Sequence, residues 1–305
     1  MAVLFWVVKH NAWTNHAVPF FDVLKRYVDG LSIDVSFMVP VTGAKLLGYG
    51  DVLVLPRHVF RRKGVVFWHD SPLAYYPPEV RNSGWQFLVA SKYDIELMEY
   101  YGVKDITYLP KPVVIPPYTP RQKSYDICTV LTQDRRKGAD QFVRVLQMLD
   151  RSVDERKVVY AKVSNGIFET LKGMRLERLT LVLDRVSDES YSEVISKLSA
   201  CNLFVFPSNV EGIGLPPIEA TLLKVPVIMG DIRATNEFVD VEFVRIRDVE
   251  VEKYPQLGNF FILQRFDERE MVEKILAGKV KAPTVKESLM LDLEKLAQKV
   301  AEFVM

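Results

Sequence analysis

The chain has 305 residues, 49% of them apolar, and a formal net charge of +1 from 40 Lys and Arg against 39 Asp and Glu. Such a composition excludes a disordered chain, fits a globular protein of roughly two domains, and argues against a general nucleic-acid binder, which needs a clearly basic balance. Cys128 and Cys201 are the only cysteines, each in an apolar, strand-like run, so inert burial is expected and a disulfide framework or a Cys-ligated zinc is not.

The opening run MAVLFWVV has no basic region before it and no small-residue cleavage site after it, so it reads as a buried first strand rather than a signal peptide. No segment approaches the roughly 18 to 20 apolar residues of a bilayer span, and a cytoplasmic protein is expected. Further strands are expected near 33–38, 51–55, 64–68, 85–90 and 106–109, with helices near 17–29 and 91–101. The stretch KPVVIPPYTP, 111–120, carries four prolines and sustains neither helix nor central strand, so it reads as a linker. Beyond it the alternation restarts, with strands near 125–132, 156–163, 179–184, 202–206, 225–229 and 242–246 and helices near 138–149, 190–199, 217–223 and 267–277. Leu289, Leu293, Leu296, Val300 and Phe303 then form the stripe of an amphipathic helix that packs on a domain face. Apolar runs alternating with helical periodicity make an α/β protein of two doubly wound, parallel-sheet domains. The expected domains are 1–115 and 116–282, followed by the helical segment 283–305, with ligands bound in a cleft at the carboxyl ends of the two sheets.

The segment FPSNVEGIGLPPIEATLL, 206–223, follows a strand and carries chemistry. Pro216 and Pro217 suit a helix start, placing it at about 216 or 217. The free amides ahead of it form an anion site, which Gly212 and Gly214 let a ligand approach closely. Glu211 and Glu219 bracket that site, an arrangement suited to hydroxyl recognition beside a phosphate, although an acid in a first helical turn is also favoured by the helix dipole alone. Upstream, LTQDRRKGADQF places Arg135, Arg136 and Lys137 ahead of another helix, where cations oppose the dipole; the two readings are a solvated basic loop and a diphosphate site.

Glu211 to Ala220, followed by PVIMGD at 226–231 and Glu237, resembles the E-x7-E signature of the retaining glycosyltransferases of family 4, which have the GT-B fold. The resemblance implies that Glu211 contacts the transferred sugar, that Glu219 binds the ribose, and that the backbone of Gly212, Ile213, Gly214 and Leu215 holds diphosphate and sugar. Lys137 with Gly138 is similar to the family's phosphate-binding lysine-glycine. The usual arginine six residues earlier is replaced by Leu131, so Arg135 or Arg136 would supply a second cation. The resemblance puts Arg185 and Val186 at the base pocket and His69, in VVFWHDSP, at the donor sugar, where a purely structural histidine is the other reading. His10, Asn11, Asn15 and His16 are either acceptor-side polar groups or packing and capping residues.

The implied function is retaining transfer of a sugar from a nucleoside diphosphate sugar to a hydroxyl acceptor on a sugar, lipid or protein glycan, with no metal or other cofactor. The alternatives are a non-catalytic nucleotide-sugar-binding protein and a GT-B epimerase or hydrolase. Arg57, Arg61, Arg62 and Lys63 allow peripheral membrane contact at the cytoplasmic face, or form a solvated face.

Overall fold

A computed structural model describes residues 2–8, 11–36, 40, 43–52, 55–71, 74–132, 135–186, 189–254, 259–289 and 291–305. Two six-stranded sheets form two units, the first comprising Met1–Val114, Lys253–Phe261 and Glu287–Met305 and the second Ile115–Glu252 and Ile262–Lys286.

In the first unit β1 (Val3–Val8), β2 (Leu31–Ser36), β3 (Lys45–Gly50), β4 (Val65–His69), β5 (Gln86–Val89) and β6 (Ile106–Tyr108) lie parallel in the order β2-β1-β3-β4-β5-β6. Its helices are α1 (Asn11–Leu24), α2 (Pro78–Arg81) and α3 (Lys92–Tyr100), the last capped by Ser91, whose hydroxyl accepts from the Asp94 N–H at 3.1 Å.

Two expectations fail here. The strand expected at 51–55, of which residues 53 and 54 lie outside the described residues, is preceded by one at 45–50, a less apolar run whose Gly48 allows the Phe67 ring to lie where a Cβ would be. The helix expected at 17–29 begins at Asn11 and carries Pro19 inside it, because the missing donor removes only one rung while the apolar face holds the rest.

The second unit contains β7 (Tyr125–Leu131), β8 (Lys157–Val163), β9 (Leu179–Arg185), β10 (Cys201–Phe206), β11 (Val227–Gly230), the short β12 (Val239–Asp240) and β13 (Glu242–Val244). The six longer of these strands are parallel in the order β13-β11-β10-β7-β8-β9. Crossovers are made by α4 (Ala139–Ser152), α5 (Asn165–Lys172), α6 (Tyr191–Ser199) and α7 (Leu215–Leu222). Helix α4 buries Phe142, Val145, Leu146 and Leu149 at steps of three, one and three on β8 residues Val159, Ala161 and Val163. Truncating one of them, Leu146→Ala, would cost roughly 2–5 kcal/mol.

A two-stranded sheet the sequence did not announce, β14 (Ile246–Tyr254) and β15 (Asn259–Phe266), precedes α8 (Glu268–Ala277) and β16 (Thr284–Val285), which pairs antiparallel with β12. Helix α5 was also unexpected. The amphipathic segment forms α9 (Leu293–Val304), whose Leu296, Ala297 and Val300 are fully buried in the first unit's core while Glu294 accepts from Arg26 and Tyr27 at 2.5 Å each.

The cysteines overturn the expectation of free thiols. Strands β7 and β10 are neighbours, which brings Cys128 and Cys201 to a Cα separation of 5.9 Å, within disulfide reach, and they are joined. Seventy-three positions of sequence hide this adjacency.

Candidate active site

In the second unit the chain winds from β7 through β8 and β9 to one side, then returns to β10 and winds to the other. The carboxyl ends of β7 and β10 therefore flank the crevice where the strand order reverses, the place such sheets bind ligands. Both sequence motifs lie there.

After β7, a 3-10 turn at Arg135–Lys137 leads into Gly138, which caps α4 with φ 67° and ψ 26°. A Cβ on Gly138 would overlap the carbonyl oxygen of Pro207, so the position needs glycine for its backbone angle and for this close approach. Three hydrogen bonds lace the two loops together. The Asn209 N–H donates to the Arg136 carbonyl at 2.7 Å, the Asn209 side chain to the Arg135 carbonyl at 2.9 Å, and the Ser208 hydroxyl to the Arg136 carbonyl at 3.2 Å. Across this junction Lys137 Nζ donates to Glu211 Oε1 at 2.6 Å, and Ser208 Oγ reaches the same oxygen at 2.6 Å. The two charged side chains are 30% and 10% exposed, so the pair is reachable yet partly desolvated.

The next helix begins earlier than its prolines indicated. Gly214, at φ 78°, is the cap, and α7 starts at Leu215. Glu219 consequently stands in the second turn, where the dipole argument for an acid no longer applies. Because Pro216 and Pro217 have no N–H, Leu215 is the one donor among the first three helical residues. Glu219 is buried and accepts from the Tyr191 hydroxyl at 2.8 Å. Burial, followed by the Glu219 charge, pushes the Tyr191 phenol well above its ordinary value, so it stays protonated as a donor. Tyr191 is the first residue of α6, held by a capping box between Ser190 and Glu193. Its only sequence signal was that capping box.

The cations divide. Arg135 pairs with Glu252 at 3.0 Å and Glu250 at 3.3 Å on β14, and Lys137 pairs with Glu211. Arg136 is half-buried. Arg265, on the unforeseen β15, is buried and donates to Asp140 at 2.6 Å in the first turn of α4. Arg185 ends β9 with its guanidinium 4.4 Å from the Phe168 ring centroid and 3.0 Å from Glu169, both on α5, while the Val186 N–H donates to the Val163 carbonyl at 3.0 Å.

His69 lies in the first unit, fully buried at the end of β4. Its Nδ1 accepts from the Val52 N–H at 3.5 Å, which leaves Nε2 to donate toward the Ser71 carbonyl at 2.9 Å. Desolvation holds its pKa down at about 4. The adjoining Asp70 pairs at 3.2 Å with buried Lys111, whose pKa burial lowers and Asp70 raises. The Val114 N–H donates to His16 Nδ1 at 2.9 Å. His10 and the side chain of Asn11 lie outside the described residues. Arg62 donates to the carbonyls of Pro40 and Ala44, leaving Arg57, Arg61 and Lys63 exposed. Among the described residues no group of three or more His, Cys, Asp and Glu is placed to hold a metal ion, and no helix is long and apolar enough to cross a membrane.

Residues 114–245 match the family model described as glycosyl transferases group 1, a stretch shorter than half the chain that includes Lys137, Glu211 and Glu219. The O-antigen biosynthesis glycosyltransferase WclY of Escherichia coli is 30% identical over 118 residues, 37% of this chain and 30% of that protein. Among solved structures the chain is similar to WaaG, a glycosyltransferase involved in lipopolysaccharide biosynthesis, with TM-score 0.56, 13% identity and coverage of 98% of this chain and 95% of that one. A trehalose-6-phosphate protein from E. coli gives TM-score 0.58, 9% identity, 99% and 95%. TarM of S. aureus gives 0.51, 16%, 87% and 53%. The chain thus spans less than two thirds of WclY and of TarM. The architecture is GT-B, and the matched stretch 114–245 is similar to a glycosyltransferase group 1 domain.

Proposed function

We propose that the protein is a retaining glycosyltransferase of the family 4 type, moving a sugar from a nucleoside diphosphate sugar to a hydroxyl acceptor. The observation that carries this reading is the Lys137–Glu211 pair at the point where the strand order reverses, directly ahead of the glycine-capped start of α7. Support also comes from relatives described as glycosyltransferases, and from similar structures described as holding UDP (TarM) or UDP-2-fluoro glucose (the trehalose-6-phosphate protein).

In this reading the diphosphate arrives beside Lys137 and the Leu215 amide, with Arg136 as the adjacent cation. Cleavage of the sugar–phosphate bond places negative charge on the leaving phosphate, where an ammonium already positioned stabilises it more than it stabilised the ground state. Glu211, released from Lys137, orients the sugar hydroxyls and offsets the positive charge growing at the anomeric carbon. The acceptor hydroxyl attacks from the face the phosphate leaves and passes its proton to that phosphate, which gives retention. Glu219 accepts from the ribose hydroxyls while Tyr191 holds its other bond, and the loop at Arg185 and Val186 borders the base. His69 has no accessible surface, and with its Nε2 2.9 Å from the Ser71 carbonyl and 3.0 Å from the Tyr76 hydroxyl we assign it to holding Ser71 and Tyr76 in place.

The reading is tested by thermal stabilisation with a panel of nucleoside diphosphate sugars, followed by product analysis with the stabilising donor. Lys137→Met should lower kcat/KM by roughly 10²–10³, the loss seen when one charge-stabilising donor is removed. No stabilisation by any donor would sink the reading, and release of free sugar or an epimer without transfer would replace it with a hydrolase or epimerase.

A further inference from the structure

Ala234 holds a backbone conformation that side chains avoid, φ 70° and ψ −68°. Because the Thr235 N–H donates to the Arg233 carbonyl at 3.1 Å, residues 233–235 form a γ-turn of the strained kind, with Ala234 at its centre. Glycine would take these angles freely, yet alanine occupies the position. Such strain persists only where the surroundings over-determine it. Here the Arg233 N–H donates to the buried side chain of Gln264 on β15 at 3.0 Å, and the Glu237 N–H to the Ala234 carbonyl at 3.0 Å. Ala234 and Thr235 are both fully buried.

The turn aims Thr235 at Gly214. A Cβ on Gly214 would overlap Thr235 Oγ1, lie 2.7 Å from Cγ2 and lie 3.1 Å from Cβ, so the threonine side chain rests on the backbone that caps α7. The hydroxyl is buried with no hydrogen-bond partner among the described residues, which makes this contact one of shape. The loop it meets runs from Glu211 through two glycines to Leu215, a segment that glycine leaves loose unless something fixes it.

We propose that the γ-turn at Ala234 is a brace. It presses Thr235 onto Gly214 and holds the Glu211–Leu215 loop and the start of α7 in the donor-binding position, making Ala234 and Thr235 positioning residues. The consequence for the donor rests on the function proposed above; the brace itself does not.

Three variants test it by hydrogen exchange of the 211–219 segment in ligand-free protein, alongside melting temperature and binding of UDP, GDP, ADP and dTDP. Ala234→Gly relaxes the turn. Its melting temperature should equal or exceed the wild type's, while exchange in 211–219 accelerates several-fold and affinity for the nucleotide that binds falls roughly tenfold, as expected when pre-organisation is lost. Thr235→Ser, which removes the methyl on Gly214, should loosen the same segment. Thr235→Val, which keeps the shape, should match the wild type. Wild-type exchange in Ala234→Gly overturns the brace, as does an intact Thr235→Ser beside a defective Thr235→Val, which would make the hydroxyl the working group. If none of the four nucleotides binds wild-type protein, the donor reading fails while exchange still decides the brace.

Discussion

Gly138→Ala places one methyl group at the junction on which the proposed site depends. Two penalties can be read from the structure. At φ 67° a residue with a Cβ costs roughly 1–2 kcal/mol. The new methyl also overlaps the Pro207 carbonyl oxygen, so the loop after β10 must move and strain or break the Asn209–Arg136 and Ser208–Arg136 bonds, each worth about 1 kcal/mol. Together these come to about 3–4 kcal/mol, and at 2–4 °C per kcal/mol for a unit of this size the melting temperature should fall by roughly 6–16 °C. Displacing Lys137 from Glu211 by about 1 Å should reduce kcat/KM by on the order of 10²-fold. Gly278→Ala separates the two penalties, because Gly278 has φ 63° at the end of α8 with no atom of the described residues within 4 Å of a new Cβ. Scanning fluorimetry and steady-state kinetics on the two variants measure the difference. Equal melting temperatures, with donor kinetics of Gly138→Ala within twofold of wild type, would refute the close-approach argument.

Tyr191→Phe removes only the hydroxyl that holds Glu219, and should raise the donor KM roughly tenfold or more with kcat nearly unchanged, the loss expected for a hydrogen bond to a charged group; an unchanged KM would contradict the arrangement. His69 is neutral in the folded protein with a pKa near 4, against 6.5 when unfolded, so the unfolded state binds the proton first. Stability should therefore be complete above pH 6.5 and fall as pH drops toward 4, by up to about 3 kcal/mol. Melting curves of His69→Gln should lack this component, and an identical pH profile would remove His69 as its source. Titration of the unfolded, unreduced protein should find no free thiol. Reduction of Cys128–Cys201, which closes a loop of 73 residues, should destabilise the fold by up to about 4 kcal/mol, and two titratable thiols before reduction would contradict the bond.

Much of the fold was legible because parallel strands buried on both faces read as continuous apolar runs, as VLFWVV and CNLFVF do. Elsewhere that signal weakens. KLLGYG is less apolar than the run after it, and nothing local records that Phe67 covers Gly48. The sheet of β14 and β15 has no local signal, because IRDVEVEKY is charged and its strand form depends on its partner. Glu211, Lys137 and Gly138 were legible as local patterns of loop and helix start. The pairing of Lys137 with Glu211, and of Tyr191 with Glu219, depends on crossovers that bring together residues 74 and 28 positions apart.

The amino-acid order alone determined the two α/β units, the proline-rich segment between their sheets, and the glycines and carboxylates around α7, because periodicity and backbone restriction act over a few residues. Only the tertiary structure decided that β10 lies beside β7. That adjacency joins Cys128 to Cys201 and sets Lys137 on Glu211. It arises from crossover connections between parallel strands, whose packing is invisible to any short window of sequence.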